Sequence, residues 1–550
     1  MKTAMNDARI KTTVEGELRA RAIKNFARLH DAPYRPGAVG LRPYCSEGWP
    51  GDWEGRALLA LSLLSKQLGV QSAFADGIVS WIKSICNAQG YRGEIIDWEN
   101  INEQFFPSHS WLMRGLLEYA PDDAEIRGWV GKILDNLYLP MAKYLENYPQ
   151  REGERPPLRQ GGAQGALDNR FRGWLLSSDI GCLFISLDGI SEACERLGRE
   201  DLLPLLRRMA DIFIRVDHTG KDGAPLQTHA CLSGMRGILR VYRLTGDKRY
   251  LEAARQFFAD YMRYGMSEYY ANFDWFRTPS WSEPCGVIDS YMLAMELWDI
   301  TRERRYLDIA TLIWYNGVLM GQRPNGGFGC DSCAEDGWVR TTDFYEAFWC
   351  CTMRGGEGLG IPQRYAMSWD GEDLLIPLHM DALFEIEGGL RIRERTRMPR
   401  EGAVEFEVLS GQKEARLRVF IPECAKNLRV EMDGSALAFS HEDGFASFQC
   451  ALRAGSRIRV LWDFCFHMEP TVGDLHAGAG LYTLRHGVLI LGARKGTMAP
   501  LDPERLRMQD GAYFYGQEEM EPLFDRYLKS DERLKAEAHQ ILFRKAPEGK

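Results

Sequence analysis

The sequence predicts a mixed, multidomain protein in which an (α/α)6 toroid at residues 14–365 precedes an antiparallel β-sandwich at residues 366–500. Three observations lead to this class. Apolar residues recur at helical spacing as far as Tyr365, a helix pair recurs as an internal repeat, and beyond Tyr365 apolar and polar residues alternate with a period of two. A chain of 550 residues is long enough for two or three domains.

The first part of the chain is predicted to be helical. Apolar residues recur with a period of about 3.6, most clearly at residues 57–64, 126–145, 202–214 and 291–300. Short connectors rich in Gly, Pro and Asp separate these stretches, as is typical of consecutive short helices.

The internal repeat indicates that these helices form hairpins. Residues 244–254 (LTGDKRYLEAA) recur as residues 300–310 (ITRERRYLDIA), and residues 196–203 (RLGREDLL) are a weaker copy. In each copy one helix is expected to end at the turn, and the next begins with an apolar pair that faces the core. About five or six such hairpins fit the helical region, which predicts a toroid with its active site in the central funnel, at the helix ends.

Beyond Tyr365 the pattern favours strands. Apolar residues alternate with polar ones at residues 374–378, 389–393, 404–408, 415–421 and 456–462, and turn signals such as Asp433-Gly434 lie between them, as in an antiparallel β-sandwich. Residues 501–550 form a polar C-terminal extension with a predicted helix at residues 530–538, and they indicate no function.

The composition argues against several functional classes. The net charge of −9 leaves no basic surplus to neutralise phosphates, so no nucleic-acid partner is expected. No apolar run reaches the ~18–20 residues of a membrane span, and residues 1–9 contain no apolar segment typical of a signal peptide. We therefore expect a cytoplasmic protein without a membrane partner. The odd number of cysteines, 13, predicts free thiols and metal ligands and not a disulfide framework.

A zinc site is predicted from two segments that the fold must bring together. Cys350 and Cys351 follow residues 343–348, a stretch that looks helical, and Glu283 and Cys285 form a Glu-x-Cys upstream. Three thiols and a carboxylate make a full set of ligands for one tetrahedral zinc ion. Adjacent cysteines reach the same metal only where the backbone turns between them, which suits the end of a helix.

Three alternatives remain open for these thiols. Cys350 and Cys351 would form a vicinal disulfide, or they are simply buried and inert. In the third alternative, the Cys-x-x-Cys of Cys330 and Cys333 joins them in a structural site of four cysteines, which leaves the Glu-x-Cys without a role.

The order of these residues along the chain is similar to the motif of a known enzyme family. Glu268, Glu283-x-Cys285 and Cys350-Cys351 resemble the motif of glycoside hydrolase family 127, the β-L-arabinofuranosidases. The resemblance implies an (α/α)6 catalytic domain followed by β-sandwich domains, with zinc held by Glu283, Cys285, Cys350 and Cys351. It also implies that Cys350 is the nucleophile, and that Glu268, in the segment SEYYANFD, is the general acid/base.

The resemblance also implies side chains that bind the sugar. His229 is similar to the histidine of a sugar-binding His-Ala in the family, His109 matches an earlier histidine more weakly, and Asp179 stands where a third histidine is expected. The alternative for each histidine is a hydrogen-bonded core residue on an amphipathic helix, and for His109 the two interpretations have about equal weight. The sequence departs from the family at residues 277–281 and 352–358, in loops expected to line the sugar site, so the metal chemistry is better supported than the substrate.

Aromatic side chains are candidates for stacking on sugar faces. They are Trp275, Trp281 and Trp349. The remaining histidines of the β region are predicted to be ordinary surface or core residues, namely His379, His467 and His476.

Retaining glycoside hydrolysis explains why such groups occur together. The reaction needs a nucleophile on one side of the sugar and an acid/base on the other. A cysteine attacks as the thiolate, although near neutral pH it is mostly protonated, and zinc removes that proton. Glu268 would protonate the leaving oxygen and later deprotonate water.

Three functions from different classes follow. The preferred one is a zinc-dependent retaining exo-glycoside hydrolase that acts on β-L-arabinofuranosides or a related plant-derived sugar, within a small oligosaccharide or glycoside. The second is a toroid protein with a purely structural zinc and epimerase or lyase chemistry, for which Tyr269, Tyr270 and His229 are candidate bases. The third is a catalytically silent sugar-binding protein. A homodimer is compatible with each.

Overall fold

The structure, a computed structural model, describes residues 7–39, 49–150, 154, 166–167, 169–220, 226–495 and 500–547. Residues 1–6, on which part of the signal-peptide prediction rests, lie outside these ranges. No helix within the described ranges is both long and apolar enough to cross a membrane.

The helices of the described residues are, in chain order, α1 (Gly16–Arg28), α2 (Asp52–Leu68), α3 (Ala73–Ile85), α4 (Phe105–Tyr119), α5 (Ala124–Ile133), α6 (Leu139–Met141), α7 (Ser186–Leu197), α8 (Leu203–Phe213), α9 (Thr228–Thr245), α10 (Lys248–Tyr264), α11 (Pro284–Thr301), α12 (Arg304–Ile313), α13 (Cys351–Gly360) and α14 (Asp531–Ala536).

The strands of the described residues are β1 (Ile10–Val14), β2 (Ile101–Asn102), β3 (Asn169–Phe171), β4 (Trp174–Leu176), β5 (Trp281–Ser282), β6 (Asp331–Ser332), β7 (Trp338–Arg340), β8 (Ser368–Asp370), β9 (Asp373–Ile376), β10 (Ala382–Ile386), β11 (Leu390–Thr396), β12 (Gly402–Ser410), β13 (Gln412–Phe420), β14 (Lys426–Met432), β15 (Ser435–Ala436), β16 (Ser440–Glu442), β17 (Phe445–Arg453), β18 (Arg457–Asp463), β19 (Phe466–Pro470), β20 (Tyr482–His486), β21 (Leu489–Ala493), β22 (Leu506–Gln509), β23 (Ala512–Tyr515), β24 (Glu518–Pro522), β25 (Ala538–Gln540) and β26 (Leu542–Phe543).

Six helices form a closed inner ring. Helix α2 packs on α4, α4 on α7, α7 on α9, α9 on α11, α11 on α13, and α13 packs back on α2. Each inner helix also packs against an outer one, which is α3, α5, α8, α10, α12 and, for α13, the N-terminal α1. The predicted (α/α)6 toroid is therefore confirmed, and the last hairpin joins the two ends of the helical region.

Glycines allow the inner helices to pack closely. A Cβ atom on Gly55 of α2 would lie 2.3 Å from the backbone nitrogen of Leu112 in α4, and one on Gly237 of α9 would lie 2.5 Å from the backbone of Leu187 in α7. Such distances leave no room for a side chain, so these positions bring one helix backbone directly against the next.

The internal repeat marks the hairpin turns. Helix α9 ends at Gly246 in the left-handed conformation, and Asp247 accepts a hydrogen bond from the backbone of Arg249 to begin α10. At the second copy, Arg302 is left-handed between α11 and α12. At the weaker copy, Gly198 ends α7. Each turn fits the left-handed helix ends found in proteins, and the repeat prediction is confirmed.

Two sheets form the next layer. One sheet has the order β1-β10-β11-β12-β18-β14-β15, and the other has the order β16-β17-β13-β9-β8. Alternate residues of β12 and β13 are buried, as expected for two-layer packing. The five predicted strands occur as β9, β11, β12, β13 and β18. The pairing is antiparallel except between β9 and β13, which are parallel.

A third sheet covers the C-terminal region. It contains β19 to β26 and also β7 from the helical region, which pairs with β25. The sheet runs across the predicted boundary at residue 500. The predicted helix at residues 530–538 is present as the shorter α14.

The helical prediction for residues 343–348 is wrong. The backbone of this stretch pairs with residues 328–330, because Cys330 N–H donates to Phe344 O at 3.0 Å and Ala347 N–H donates to Phe328 O at 2.9 Å. These bonds occupy backbone N–H and C=O groups that would otherwise form hydrogen bonds within a helix. The cysteine pair therefore lies at the beginning of α13 and not at the end of a helix.

Candidate active site

The predicted zinc ligands lie at the first residues of two neighbouring inner helices. Glu283 is the N-cap of α11, and Cys285 is in the first turn of that helix. Cys350 is the N-cap of α13, and Cys351 is its first residue. Helix N-termini carry partial positive charge and unpaired N–H groups, which favour thiolates and carboxylates.

The four side chains form one compact group. The Cys285 and Cys351 sulfurs are 3.7 Å apart, the Cys350 and Cys351 sulfurs are 3.4 Å apart, and the Cys350 sulfur is 3.9 Å from Glu283 Oε1. One ligand atom from each residue lies within 4.8 Å of the other three. A vicinal disulfide is excluded, since its sulfurs would be about 2.05 Å apart.

This geometry fits a tetrahedral zinc ion. Sulfurs about 2.3 Å from a tetrahedral zinc are separated by about 3.8 Å, close to the distances among the three thiols. Glu283 Oε2 is buried and has no hydrogen-bond partner on the described residues, and such an orphaned oxygen is expected where a ligand binds. We therefore take these four residues as a candidate metal site, with a donor set typical of zinc.

The electrostatics of the pocket favour a bound cation. Burial raises the pKa of Cys285 to about 12, and burial also raises the pKa values of Cys351 and Glu283 well above their usual range. The pKa of Cys350 is lowered to about 7, because the Cys285 and Cys351 thiols are within hydrogen-bonding distance. A metal ion would supply the positive charge that deprotonated buried ligands require.

Arg56 is a second source of positive charge that the sequence did not indicate. Its Nη1 is 3.9 Å from the Cys285 sulfur, and its Nε donates to both carboxylate oxygens of Asp52 at 3.0 Å. The guanidinium carbon lies 4.3 Å from the centre of the Trp111 ring. Three thiolates and a carboxylate carry two more negative charges than a divalent ion neutralises, so Arg56 offsets part of the surplus.

The competing site of four cysteines is not formed. Cys330 lies beside Cys351 and perturbs its pKa, but it is not among the four residues whose ligand atoms converge. The Cys333 thiol instead donates to the backbone oxygen of Asn272 at 3.7 Å. Asn272 in turn accepts the Glu283 N–H through Oδ1 at 3.2 Å, so Cys333 helps to fix the loop that carries the Glu-x-Cys.

Glu268 lies in a tight turn beside this loop. The turn is closed by the Ser267 N–H, which donates to Ala271 O at 3.1 Å. The carboxylate is 1% exposed, and neither oxygen has a hydrogen-bond partner on the described residues. His476, predicted to be an ordinary residue of the β region, places Nε2 3.2 Å from Glu268 Oε1. The sequence did not indicate this contact between the β region and Glu268.

The structure brings His229 and Asp179 together beside a further acid, Asp274. Gln227 N–H donates to Ile180 O at 3.1 Å, and Thr228 N–H donates to Asp274 O at 2.9 Å, which joins the three segments. Burial and the nearby Asp274 raise the pKa of Asp179 to about 7.

His229 is oriented by an ionic network below the site. Its Nδ1 is 2.7 Å from Asp289 Oδ2, and Asp289 also accepts hydrogen bonds from Arg236 and Arg354. Its Nε2 is buried without a partner on the described residues. This nitrogen is available to a ligand, as predicted for a sugar-binding histidine, and Asp289 fixes the orientation of the ring.

His109 does not fit its predicted role. The ring is fully buried, with Nδ1 2.7 Å from Phe105 O and Nε2 accepting the Arg92 N–H at 3.0 Å. Burial lowers its pKa to about 4. Both nitrogens are hydrogen-bonded to backbone groups, which favours the alternative that His109 is a hydrogen-bonded core residue.

Aromatic side chains adjoin the ligands. Trp281 and Trp349 are partly exposed, and Phe344 lies between them with ring centres 6.3 and 5.8 Å away. Trp275 is buried. The Tyr269 hydroxyl lies 3.0 Å from both Ser282 Oγ and Ser332 O.

A second group of potential ligands lies far along the chain, in the C-terminal sheet. Glu521, Glu537 and His539 have ligand atoms close together, but Lys529 Nζ is 2.6 Å from Glu521 and also contacts Glu537. Arg494 also pairs with Glu521 and Arg533 with Glu537, so three cations offset the two carboxylates and this group is an ion-pair cluster.

The chain was compared with known families and structures. Residues 374–464 match the family model of the GH127 middle domain of β-L-arabinofuranosidases. No curated protein sequence matches the chain.

Solved structures of similar fold cover nearly the whole chain. A GH127 β-arabinofuranosidase has a TM-score of 0.72 at 12% identity, with 99% of this chain and 98% of that chain covered. A GH127 β-L-arabinofuranosidase from Geobacillus stearothermophilus T6 has a TM-score of 0.68 at 13% identity, with 98% and 100% covered. A further glycoside hydrolase has a TM-score of 0.69 at 12% identity, with 99% and 100% covered.

These likenesses agree with the resemblance predicted from the cysteine and glutamate motifs. The family match lies in the β domain, the structural likeness extends over toroid and sheets together, and the low identity indicates a remote relationship. Residues 374–464 thus match the middle domain of glycoside hydrolase family 127, and the chain as a whole has the fold of solved enzymes of that family.

Proposed function

We propose that the protein is a retaining exo-glycoside hydrolase in which Cys350 attacks the anomeric carbon and Glu268 is the general acid/base. One observation carries this proposal. Among the three clustered thiols, Cys285 and Cys351 are fully buried, whereas Cys350 is partly exposed. A purely structural metal site has no need of an accessible thiol, but a nucleophile must reach its substrate.

The metal site has a defined place in this chemistry. Glu283, Cys285, Cys350 and Cys351 would hold zinc, and when bound the ion supplies the charge that keeps the thiols deprotonated.

The reaction proceeds in two steps. First, the Cys350 sulfur bonds to the anomeric carbon as the bond from that carbon to the leaving oxygen breaks, and Glu268 donates its proton to that oxygen. Second, a water oxygen bonds to the same carbon as the carbon–sulfur bond breaks, and Glu268 accepts the proton of the water. The anomeric configuration is retained, since each step inverts it once.

The surroundings of Glu268 suit both roles. The carboxylate is almost completely buried, and apart from the His476 contact at Oε1 its oxygens have no hydrogen-bond partner within the described residues, so Oε2 is open to proton exchange with a bound sugar. Proton transfer is effective when the group is held close to the reacting oxygen and shielded from bulk water.

The substrate is proposed to be a β-L-arabinofuranoside or a related plant-derived sugar at the end of a small oligosaccharide or glycoside. The family match and the solved arabinofuranosidases of the same fold support this class. His229 Nε2 and Asp179 would bond to sugar hydroxyls, and Trp281 and Trp349 are candidates to pack on the ring.

Lyase or epimerase chemistry is less well supported. It needs a base such as a tyrosine, but the Tyr269 hydroxyl is held between Ser282 and Ser332, and burial raises the pKa of Tyr269 well above its usual range. Tyr270 is also buried, and burial raises its pKa. A catalytically silent sugar-binding protein is the remaining alternative. Only a measurement of substrate turnover distinguishes it from the proposed glycoside hydrolase.

Release of nitrophenol from an aryl β-L-arabinofuranoside tests the proposal. Purified protein with stoichiometric zinc should hydrolyse this substrate, and a strong zinc chelator should abolish the hydrolysis. Cys350→Ala should lower the rate by about three orders of magnitude or more while the thermal unfolding temperature changes little. Wild-type rates in Cys350→Ala would contradict the assignment of the nucleophile.

A cytoplasmic location and a homodimer stay predictions, the latter to be checked by light scattering.

A further inference from the structure

A loop of the C-terminal region reaches the proposed acid/base. His476 lies between β19 and β20 of the third sheet. Its Nε2 is 3.2 Å from Glu268 Oε1 and 3.3 Å from the backbone oxygen of Ala334. Its side chain is 11% exposed. The imidazole is therefore held in a pocket between the Glu268 turn and the segment that contains Cys333.

The contact matters because Glu268 has no competing partner among the described residues. Apart from the His476 contact, neither carboxylate oxygen has a hydrogen-bond partner there, and the carboxylate is 1% exposed. The ion-pair contact with His476 is therefore the one that orients Glu268 in the described part of the chain. A carboxylate buried in this way needs a nearby cation in order to carry charge.

The loop is fixed to the toroid. Arg263, in the last turn of α10, bonds to Asp474 Oδ2 at 2.6 Å, and the Asp474 N–H donates to Arg263 O at 3.0 Å. Gly473 is left-handed, and a Cβ atom there would lie 3.0 Å from the same backbone oxygen. These contacts dock the loop on the end of α10 and set the position of His476.

We propose that His476 is a positioning residue for the general acid/base, which orients the Glu268 carboxylate and stabilises its charged form. This inference rests on the proposed function, in which the charged form of Glu268 accepts the proton of water in the second step. The C-terminal sheet thus completes the active site of the toroid.

The charges around His476 support a cationic imidazole. Glu268 raises the pKa of His476 above its ordinary value of 6.5, burial opposes the rise, and the Ala334 carbonyl and Glu335 add to it. The other charged groups of its own loop region, Arg263 and Asp474, neutralise each other. Because the folded-state pKa is raised, the ion pair is fully formed below the unfolded value and is lost as the pH rises through the raised pKa.

Replacement by glutamine removes the charge and keeps a hydrogen-bond donor. With an aryl arabinofuranoside, the good leaving group needs little protonation, so the second step should limit turnover. We expect His476→Gln to lower kcat about 10- to 100-fold, the range typical of partners that orient a reacting group. Azide should restore the rate, since it attacks the anomeric carbon without a base and releases the Cys350 sulfur.

His467→Gln is the matched control. His467 lies on β19 of the same sheet, and its Nε2 is 3.5 Å from Glu469 Oε1. It should leave kcat, zinc content and the azide response unchanged. A kcat of His476→Gln equal to that of the control, or a reduced kcat that azide does not restore, would overturn the proposal.

A second measurement does not depend on turnover. The ring protons of His476 can be titrated by NMR in the wild type and in Glu268→Gln. We expect the pKa of His476 to fall in the variant, because its main raising contact is lost. An unchanged pKa would overturn the inference even in an active enzyme. An inactive wild type with the expected shift would instead count against the proposed function alone.

Discussion

At the scale of single residues, the four candidate ligands differ in a way that suits different tasks. Cys285 and Cys351 are buried in the first turns of α11 and α13. Cys350 precedes the first turn of α13 and is partly exposed. In the proposed mechanism both cysteines would hold the metal and only Cys350 would also meet the substrate, because the backbone changes direction between them.

Arg56 allows a prediction about metal affinity. It is nearly buried and lies 3.9 Å from the Cys285 sulfur, so its charge should stabilise the anionic ligand set. We expect Arg56→Met to weaken zinc binding about 10- to 100-fold, measured by competition with a chromophoric chelator.

Arg243→Met is the control for charge loss within the toroid. Arg243 bonds to Asp299 at 3.1 Å and lies in the last turn of α9, at the opposite end of that helix from His229. If both variants bind zinc as tightly as the wild type, Arg56 has no electrostatic role at the site.

The sequence predicted the metal ligands better than their surroundings. Three cysteines and a glutamate in a characteristic order were sufficient to predict that Glu283, Cys285, Cys350 and Cys351 lie together, and their role as metal ligands stays a proposal. Arg56 and His476 were not found, because they lie far from the motif in the chain and no local pattern marks an ordinary arginine or histidine. For His109 two interpretations stayed open, because sequence does not reveal that both of its nitrogens are hydrogen-bonded to backbone groups.

At the scale of secondary-structure elements, the site depends on how closely the inner helices approach each other. His229, Glu283 and Cys350 all lie at the N-terminal ends of inner helices. Their mutual distances are therefore set by the packing of the ring. Glycines at the crossings make that packing possible, since a Cβ atom there would overlap the neighbouring backbone.

Alanine at two glycines should have opposite effects. In Gly237→Ala the new Cβ would lie 2.5 Å from the backbone of Leu187, so α9 must shift and stability should fall by about 1–3 kcal/mol. Gly128 in α5 has nothing within 4 Å of the new atom, and Gly128→Ala should raise stability by about 0.5–1 kcal/mol through helix propensity.

Chemical denaturation measures both free energies of unfolding. Equal changes in the two variants would show that close approach at Gly237 does not limit the packing of α7 and α9.

Periodicity predicted the helices well and the connecting segments poorly. The two best copies of the repeat mark real turns after α9 and α11 because a left-handed residue ends each helix. Residues 343–348 have a helix-like composition, but long-range pairing with residues 328–330 overrides that local preference. The local sequence of a segment does not show which distant segment its backbone will pair with.

At the scale of the whole molecule, the chain regions are interleaved. Strand β1, before the toroid, pairs with β10, and β7, within the helical region, pairs with β25 near the C-terminus. Arg21 of α1 donates to Phe524 O at 2.9 Å, and Arg526 is paired with Asp331 at 2.9 Å. Sequence periodicity did not predict this interleaving, because the third sheet consists of short strands from distant segments.

Interleaving predicts that the molecule unfolds as one unit. Calorimetry should give a single transition, and Arg526→Met should lower its temperature without splitting it, since the buried Asp331 would lose a partner. Arg397→Gln, which removes an exposed ion pair with Glu401, should have little effect. Two separate transitions in the wild type would contradict this view of the fold.

The covalent step at Cys350 is best tested by mass spectrometry. Glu268→Gln, loaded with zinc and mixed with an aryl β-L-arabinofuranoside, should complete the first step and stall before the second. Digestion should then yield a peptide in which Cys350 carries the mass of one pentosyl residue. Turnover without any adduct, or an adduct on a different side chain, would contradict the assignment of Cys350 as the nucleophile.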